Sequence, residues 1–162
     1  MQKKLVTFSE ALKKLENYCA YQERCHFEVE QKLKEFKLIP EAREEIIIHL
    51  IEHNYLNETR FAESFVRGKF NIKHWGRLRI KRELKQRNIS AYNIKKGFQQ
   101  INESDYLESF SALSEKKWKS LAKESSVKAK QKFINYLQYR GWENQLIFEK
   151  LSELEQSSSL NK

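Results

Sequence analysis

Apolar residues recur along this chain at helical spacing and almost nowhere at strand spacing. Leu12, Leu15, Tyr18 and Cys19 share one helical face after Ser9, which is suited to cap the helix they define. Val29, Leu33 and Phe36 do the same over 26–36, and Ile46, Ile47, Leu50 and Ile51 after Pro40, a residue suited to a helix's first turn. A fourth helix is predicted from Glu58, behind Asn57, to about Lys73, with Phe61, Ala62, Phe65 and Val66 inward. A fifth, short one covers 77–87. A sixth follows Ser90 with Ile94, Phe98 and Ile101 inward, and a seventh starts at Ser104-Asp105 and carries Tyr106, Phe110, Leu113, Trp118 and Leu121. After Ser125-Ser126 come Phe133, Ile134 and Leu137. After Gly141, Leu146, Ile147, Leu151 and Leu154 close the series. Residues 1–7 read as a frayed start.

The nine helices fall into three groups of three with a period of 51–53 residues. Val29, Ile80 and Phe133 align, as do Leu33, Leu84 and Leu137; Leu38, Ile89 and Trp142; and Leu50, Ile101 and Leu154. The turn between second and third helices reads Lys37, Asn88, Gly141, and Asn and Gly tolerate the left-handed backbone that ends a helix. The fold class is therefore all-α, three tandem three-helix repeats, each burying a face on the next. The expected boundaries are a first module at 1–56, a basic central module at 57–102, a third module at 103–155, and a disordered Ser-rich tail at 156–162. Composition agrees: 162 residues hold four Gly and one Pro, too few for a turn-rich β architecture.

Charge changes the picture. Residues 1–56 hold 9 Lys+Arg and 10 Asp+Glu; 57–102 hold 12 and 3; 103–162 hold 10 and 9. Cut this way, the excess of +9 lies in the central module, as expected of a surface for a polyanion. On the 77–87 helix, Ile80 and Leu84 point inward. Arg79, Arg82 and Gln86 point roughly opposite, with Lys81 and Lys85 on a flank. Arg67, Lys69 and Lys73 before it, and Lys95 and Lys96 after it, extend the surface, and Arg suits bidentate phosphate or carboxylate contacts. Trp75 either stacks on a base of a single strand or plugs a gap between repeats.

Other chemistry finds little support. His49-x-x-Glu52-His53 matches an inverted zinc-protease pattern, but the helix is short and no third-ligand motif stands out downstream, so it is rejected. There is no phosphate-cradling glycine loop and no nucleophilic triad pattern. Catalytic residues, metal and cofactors are therefore all read as none, and the protein as not an enzyme. Cys19 and Cys25 are read as reduced core thiols. With no apolar run of membrane-spanning length and no export signal, the sequence predicts a cytoplasmic protein that does not engage membranes. A monomer is expected.

Two segments resemble a known family. Tyr55-Leu56-Asn57-Glu58-Thr59-Arg60-Phe61-Ala62 is similar to the G-Y-L-D-D-x-R-F-A segment of RecX proteins, with Asn57-Glu58 in place of the acidic pair. Trp75 to Ile89 is similar to their G-x-x-R-I-x-x-E-L-x-x-K-G-I segment, with Asn88 where the family usually has Gly. The likeness runs over about 9–155 and weakens after 103. It implies tandem three-helix modules in an elongated, curved array. It also implies binding to the RecA filament on single-stranded DNA, with inhibition of its recombinase, ATPase and coprotease activities and hence modulation of recombination, repair and the SOS response. On that reading Arg60, Arg67, Lys69, Lys73, Arg77, Arg79, Lys81, Arg82, Lys85 and Arg87 face the filament and the enclosed DNA phosphates. Arg60, between a cap and a buried Phe, is equally suited to holding its own module together. The alternative is a sequence-nonspecific DNA-binding helical module with no RecA partner.

Overall fold

A computed structural model describes residues 2–160. Within them the chain is helical throughout: α1 (Phe8–Tyr21), α2 (His26–Leu33), α3 (Pro40–Glu52), α4 (Glu58–Asn71), α5 (Arg77–Gln86), α6 (Ala91–Phe98), α7 (Glu103–Ser120), α8 (Ser126–Tyr139) and α9 (Asn144–Leu160). They form two compact units. One comprises Met1–Phe65 with Leu84–Phe98, the other Val66–Glu83 with Gln99–Lys162. No helix is long and apolar enough to cross a membrane among the described residues.

In the first unit, α1 starts two residues earlier than Ser9 suggests. Thr7 is the cap: its hydroxyl accepts the Glu10 N–H at 3.1 Å and the Glu10 carboxylate accepts the Thr7 N–H at 3.3 Å. This reciprocal box satisfies two donors that a helix start leaves open, which Ser9 cannot do from inside the helix. The segment before it, expected to fray, is tied down at Lys4, and Met1 lies outside the described residues. Lys4 lies alongside the end of the second helical stretch, its N–H donating to Glu35 O and its carbonyl accepting from Lys37 N–H, both at 2.8 Å. The core here is Ala11, Leu15, Cys19, Val29, Leu33, Phe36, Ile46, Leu50 and Leu56. Cys19 and Cys25 are both buried free thiols, and burial pushes each up to about 11.

In the second unit the centre is aromatic. Tyr106, Phe110 and Trp142 pack ring to ring, with centroids 4.7 Å apart for Tyr106–Trp142 and 5.2 Å for Phe110–Trp142. The Trp142 indole N–H donates to His74 O at 3.1 Å, and His74 holds the left-handed conformation that aims its carbonyl inward. α9 runs on through Leu160, where disorder was expected from the Ser-rich composition; Asn161 and Lys162 lie outside the described residues. Ser158 and Ser159 satisfy their hydroxyls on the carbonyls of Leu154 and Glu155 one turn back, so the polar residues add to the helix surface instead of ending it.

The repeat is visible in burial. Val29, Ile80 and Phe133 are each fully buried, as are Leu84 and Leu137, and Leu33 is nearly so. The first helices also keep register: Ala11, Leu15 and Cys19 stand against Ala62, Val66 and Phe70 at a constant offset of 51, all buried. The left-handed turn occurs at Asn88 (φ 59°) and Gly141 (φ 87°). At the equivalent place, Lys37 instead gives its N–H to Lys4, so the first module closes the same corner with an isolated β-bridge between Lys4 and Phe36.

Candidate polyanion-binding surface

α5 is built from strong helix formers, and its first turn carries no acid. The donors that a helix start leaves open are met from within the second unit. Gly76 N–H donates to Arg140 O at 2.8 Å, Leu78 N–H to Gly141 O at 3.0 Å, and Arg77 N–H to the Tyr106 hydroxyl at 3.0 Å. Gly76 is required because a Cβ there would collide with the carbonyl of Gly141, and Gly141 because a Cβ there would collide with Arg79. The Tyr106 hydroxyl in turn donates to the Glu143 carboxylate, at 2.8 Å from Oε2. Burial, followed by the Glu143 hydrogen bond, pushes its pKa far above the usual phenol range, so it stays a neutral donor.

This clamp consumes several of the predicted site residues. Arg77 pairs with Glu103 and lies 3.8 Å over the Tyr106 ring. Arg79, expected on the outward face, is turned back: its guanidinium sits 4.0 Å from the Trp75 ring and 4.6 Å from that of Tyr139. It donates to Tyr139 O at 3.2 Å, and its Nε is buried without a partner. Lys69 lies 4.9 Å from the same Trp75 ring. Trp75 is thus half-buried beneath two cations, which favours its structural role over base stacking.

Other cations are spent in the first unit. Arg60 donates from Nε to Glu23 at 2.6 Å, from Nη1 to Asn54 Oδ1 at 3.1 Å, and from Nη2 to the carbonyls of Asn54 and Tyr55 at 3.0 and 3.3 Å. That is the structural alternative for Arg60, with its acid in the α1–α2 connection. Arg87 pairs with Glu28 at 3.7 Å and lies 5.1 Å over Phe65.

What remains outward is a narrower set. Leu78, Lys81, Arg82 and Lys85 are exposed and, at spacings of three and four, share one face of α5. Among the described residues none of these three cations has an ion pair. Lys73 is exposed too, and Arg67 is exposed with one hydrogen bond to Gln100 at 2.8 Å. Leu78 had no place in the predicted stripe, yet it is 53% exposed and opens the outward face. Tyr106 and Glu143 went unnoticed as determinants of this surface. The only trace of them in the sequence is that a buried hydroxyl must find a partner. His49 and His53, the two histidines of the rejected zinc pattern, stack at 4.0 Å, and no group of three metal-ligating side chains exists among the described residues.

The fold and surface define a class: a helical protein of three-helix units that presents one basic helix face. Residues 57–97 match the family model for the second three-helix domain of RecX and residues 103–151 the model for the third. The chain belongs to the RecX family. It is 31% identical over 164 residues to a "Regulatory protein RecX" of Enterococcus faecalis, covering 96% of this chain and 62% of that one. A second, of Lactobacillus johnsonii, is 29% identical over 89% of this chain and 53% of its own length. The chain thus spans between about half and three fifths of these curated relatives. The crystal structure of RecX from Lactobacillus salivarius superimposes with a TM-score of 0.75 at 26% identity, covering 91% of this chain and 96% of that one, in keeping with a three-helix repeat array.

Proposed function

We propose that this protein regulates recombination by binding the RecA filament on single-stranded DNA and lowering its activity, without chemistry of its own. The observation that carries the proposal is the outward face of α5. Lys81, Arg82 and Lys85 stay exposed and unpaired while four arginines of the same central stretch (Arg60, Arg77, Arg79 and Arg87) are spent on their own protein. A helix whose cations are withheld from intramolecular acids keeps its Coulombic gain for a partner. The exposed Leu78 on that face favours a protein groove over bare phosphate, since an apolar contact gains nothing from phosphodiester oxygens.

The test is the single-stranded-DNA-dependent ATPase of RecA from the same organism, titrated with the protein and with K81E/R82E/K85E. The wild type inhibits at substoichiometric ratios and the variant needs at least about tenfold more, a loss of roughly 1.4 kcal/mol or more of binding. No inhibition at saturating wild type overturns the reading and leaves DNA binding alone, and equal inhibition by the variant overturns the outer face of α5 as its carrier.

A further inference from the structure

The near-balance of charge in residues 103–162 conceals a sharp segregation. Residues 103–115 contain four acids and no cation, and 141–162 contain four acids and two cations. Residues 116–140 contain eight cations and only Glu124, a local net charge of +7. All of this stretch lies in the second unit, on the C-terminal half of α7, the turn after it, and α8.

Four of the eight cations are already occupied. Lys130 pairs with Glu155 at 3.3 Å and Lys132 with Glu124, while Lys117 and Arg140 lie 4.6 and 3.7 Å from the Tyr136 ring. The nearest acid on α7, Glu115, is drawn to the buried Lys150 at 2.8 Å. Lys116, Lys119, Lys123 and Lys128 are left exposed around the α7–α8 turn, with no ion pair among the described residues.

Helix electrostatics explains only part of this. A cation in the last turn of α7, such as Lys119, suits the negative end of the helix dipole. Lys128 does not, because it stands at the third position of α8, whose first turn has no acid. The Ser125 hydroxyl accepts the Lys128 N–H at 3.4 Å, the geometry in which a Glu at that position completes a capping box. α1 has such a Glu (Glu10), and α7 has Asp105 in the same place behind Asn102. α4 and α5 also have a cation there, but Glu23 neutralises Arg60 and Arg79 is folded onto the Trp75 and Tyr139 rings. Lys128 alone among these sits exposed and unneutralised at the positive end of its helix, and Lys116 and Lys119 repel each other at i, i+3. The sequence tolerates unfavourable charge at this tip that single acidic residues would relieve.

We infer that the Lys116–Lys119–Lys123–Lys128 tip is a second polyanion site, one that takes the phosphodiester backbone of a single nucleic-acid strand directly. Lysine is a point-charge donor suited to phosphate without sequence readout. It is depleted at protein–protein interfaces, and of the neighbouring residues only Val127 adds a well-exposed apolar side chain. The inference does not rest on RecA, since the site acts on the strand alone.

The test is fluorescence anisotropy of a labelled oligo-dT strand, with no RecA present, across a salt series. It compares the full chain, K116Q/K119Q/K123Q/K128Q, and an equal charge change elsewhere, K3Q/K13Q/K14Q/K37Q, at four exposed lysines of the first unit. The tip variant binds at least about tenfold more weakly at low salt. Its log–log salt slope is shallower by about 3, from roughly 0.7 per lost phosphate contact on a single strand. The control variant keeps most of the affinity. A further single change separates binding from folding: Lys128→Glu raises the melting temperature while weakening binding. Equal losses in tip and control variants would reduce the effect to net charge and overturn the site, as would a tip variant that binds like wild type.

Discussion

The two sides of α5 have nearly the same composition and opposite fates. At its first turn, Arg77 and Arg79 are folded back onto Tyr106, Glu103, Trp75 and Tyr139, and the backbone donors end on the α8–α9 corner. On its outer face, Lys81, Arg82 and Lys85 are exposed and have no ion pair among the described residues. The difference teaches that a count of basic residues overstates a binding surface. What matters is which cations have already found an aromatic face or a carboxylate inside the protein. The first-turn arginines are built into the scaffold that holds the helix, and the outer-face residues are what it presents.

The sharpest way to break this contrast is Gly76→Ala. The new methyl meets backbone that cannot swing aside, so the first turn must leave the corner. We expect a loss of about 3 kcal/mol or more, at the upper end for overpacking, read as a fall in the urea midpoint. Tyr106→Phe is milder. It strands the Arg77 N–H and one contact of Glu143 while keeping the ring, for a loss of about 1–3 kcal/mol. It also changes the alkaline limb of stability. The Tyr106 phenol titrates higher in the folded protein than its ordinary 10.0, so the unfolded chain gives up that proton first. Its contribution is whole below about pH 10 and is lost as pH rises beyond it. Wild type therefore weakens more steeply above pH 10 than the Phe variant. The two buried cysteines, pushed up to about 11, add the same decline to both proteins. Smallest of all is K81A/R82A/K85A, which should leave the midpoint within about 0.5 kcal/mol of wild type. A large loss there would show that the outer face is structural after all.

The helices and their inward faces were legible because burial and periodicity are local properties. Val29, Ile80 and Phe133 could be aligned without coordinates. The register of the first helices was harder to see, because Cys19 and Phe70 fill the same place with very different volumes. Thr7 was passed over for Ser9 because either residue can cap. Only the reach of Glu10 back to Thr7, three residues earlier, decides between them. The fate of each arginine was not legible at all. Arg60 meets Glu23 37 residues away, Arg77 meets Glu103 26 away, and Arg79 meets Tyr139 60 away. No pattern within a helix encodes such partners. Lys150 makes the same point: it is 7% exposed at the position that Ile46 and Gly97 hold in the other repeats, and its ammonium reaches out to Glu115 and Glu153.

The bond between the α5 start and the α8–α9 corner also sets an order of events during synthesis. Gly76 and Leu78 find their acceptors at residues 140 and 141, more than sixty positions later in the chain. Until that corner leaves the ribosome, α5 exists only as a short basic segment with open amide groups at its head, too short to hold itself in water. Translation must therefore run past residue 141 before this helix is fixed in place, and a product cut short ahead of residue 140 carries the cations without the seat that orients them.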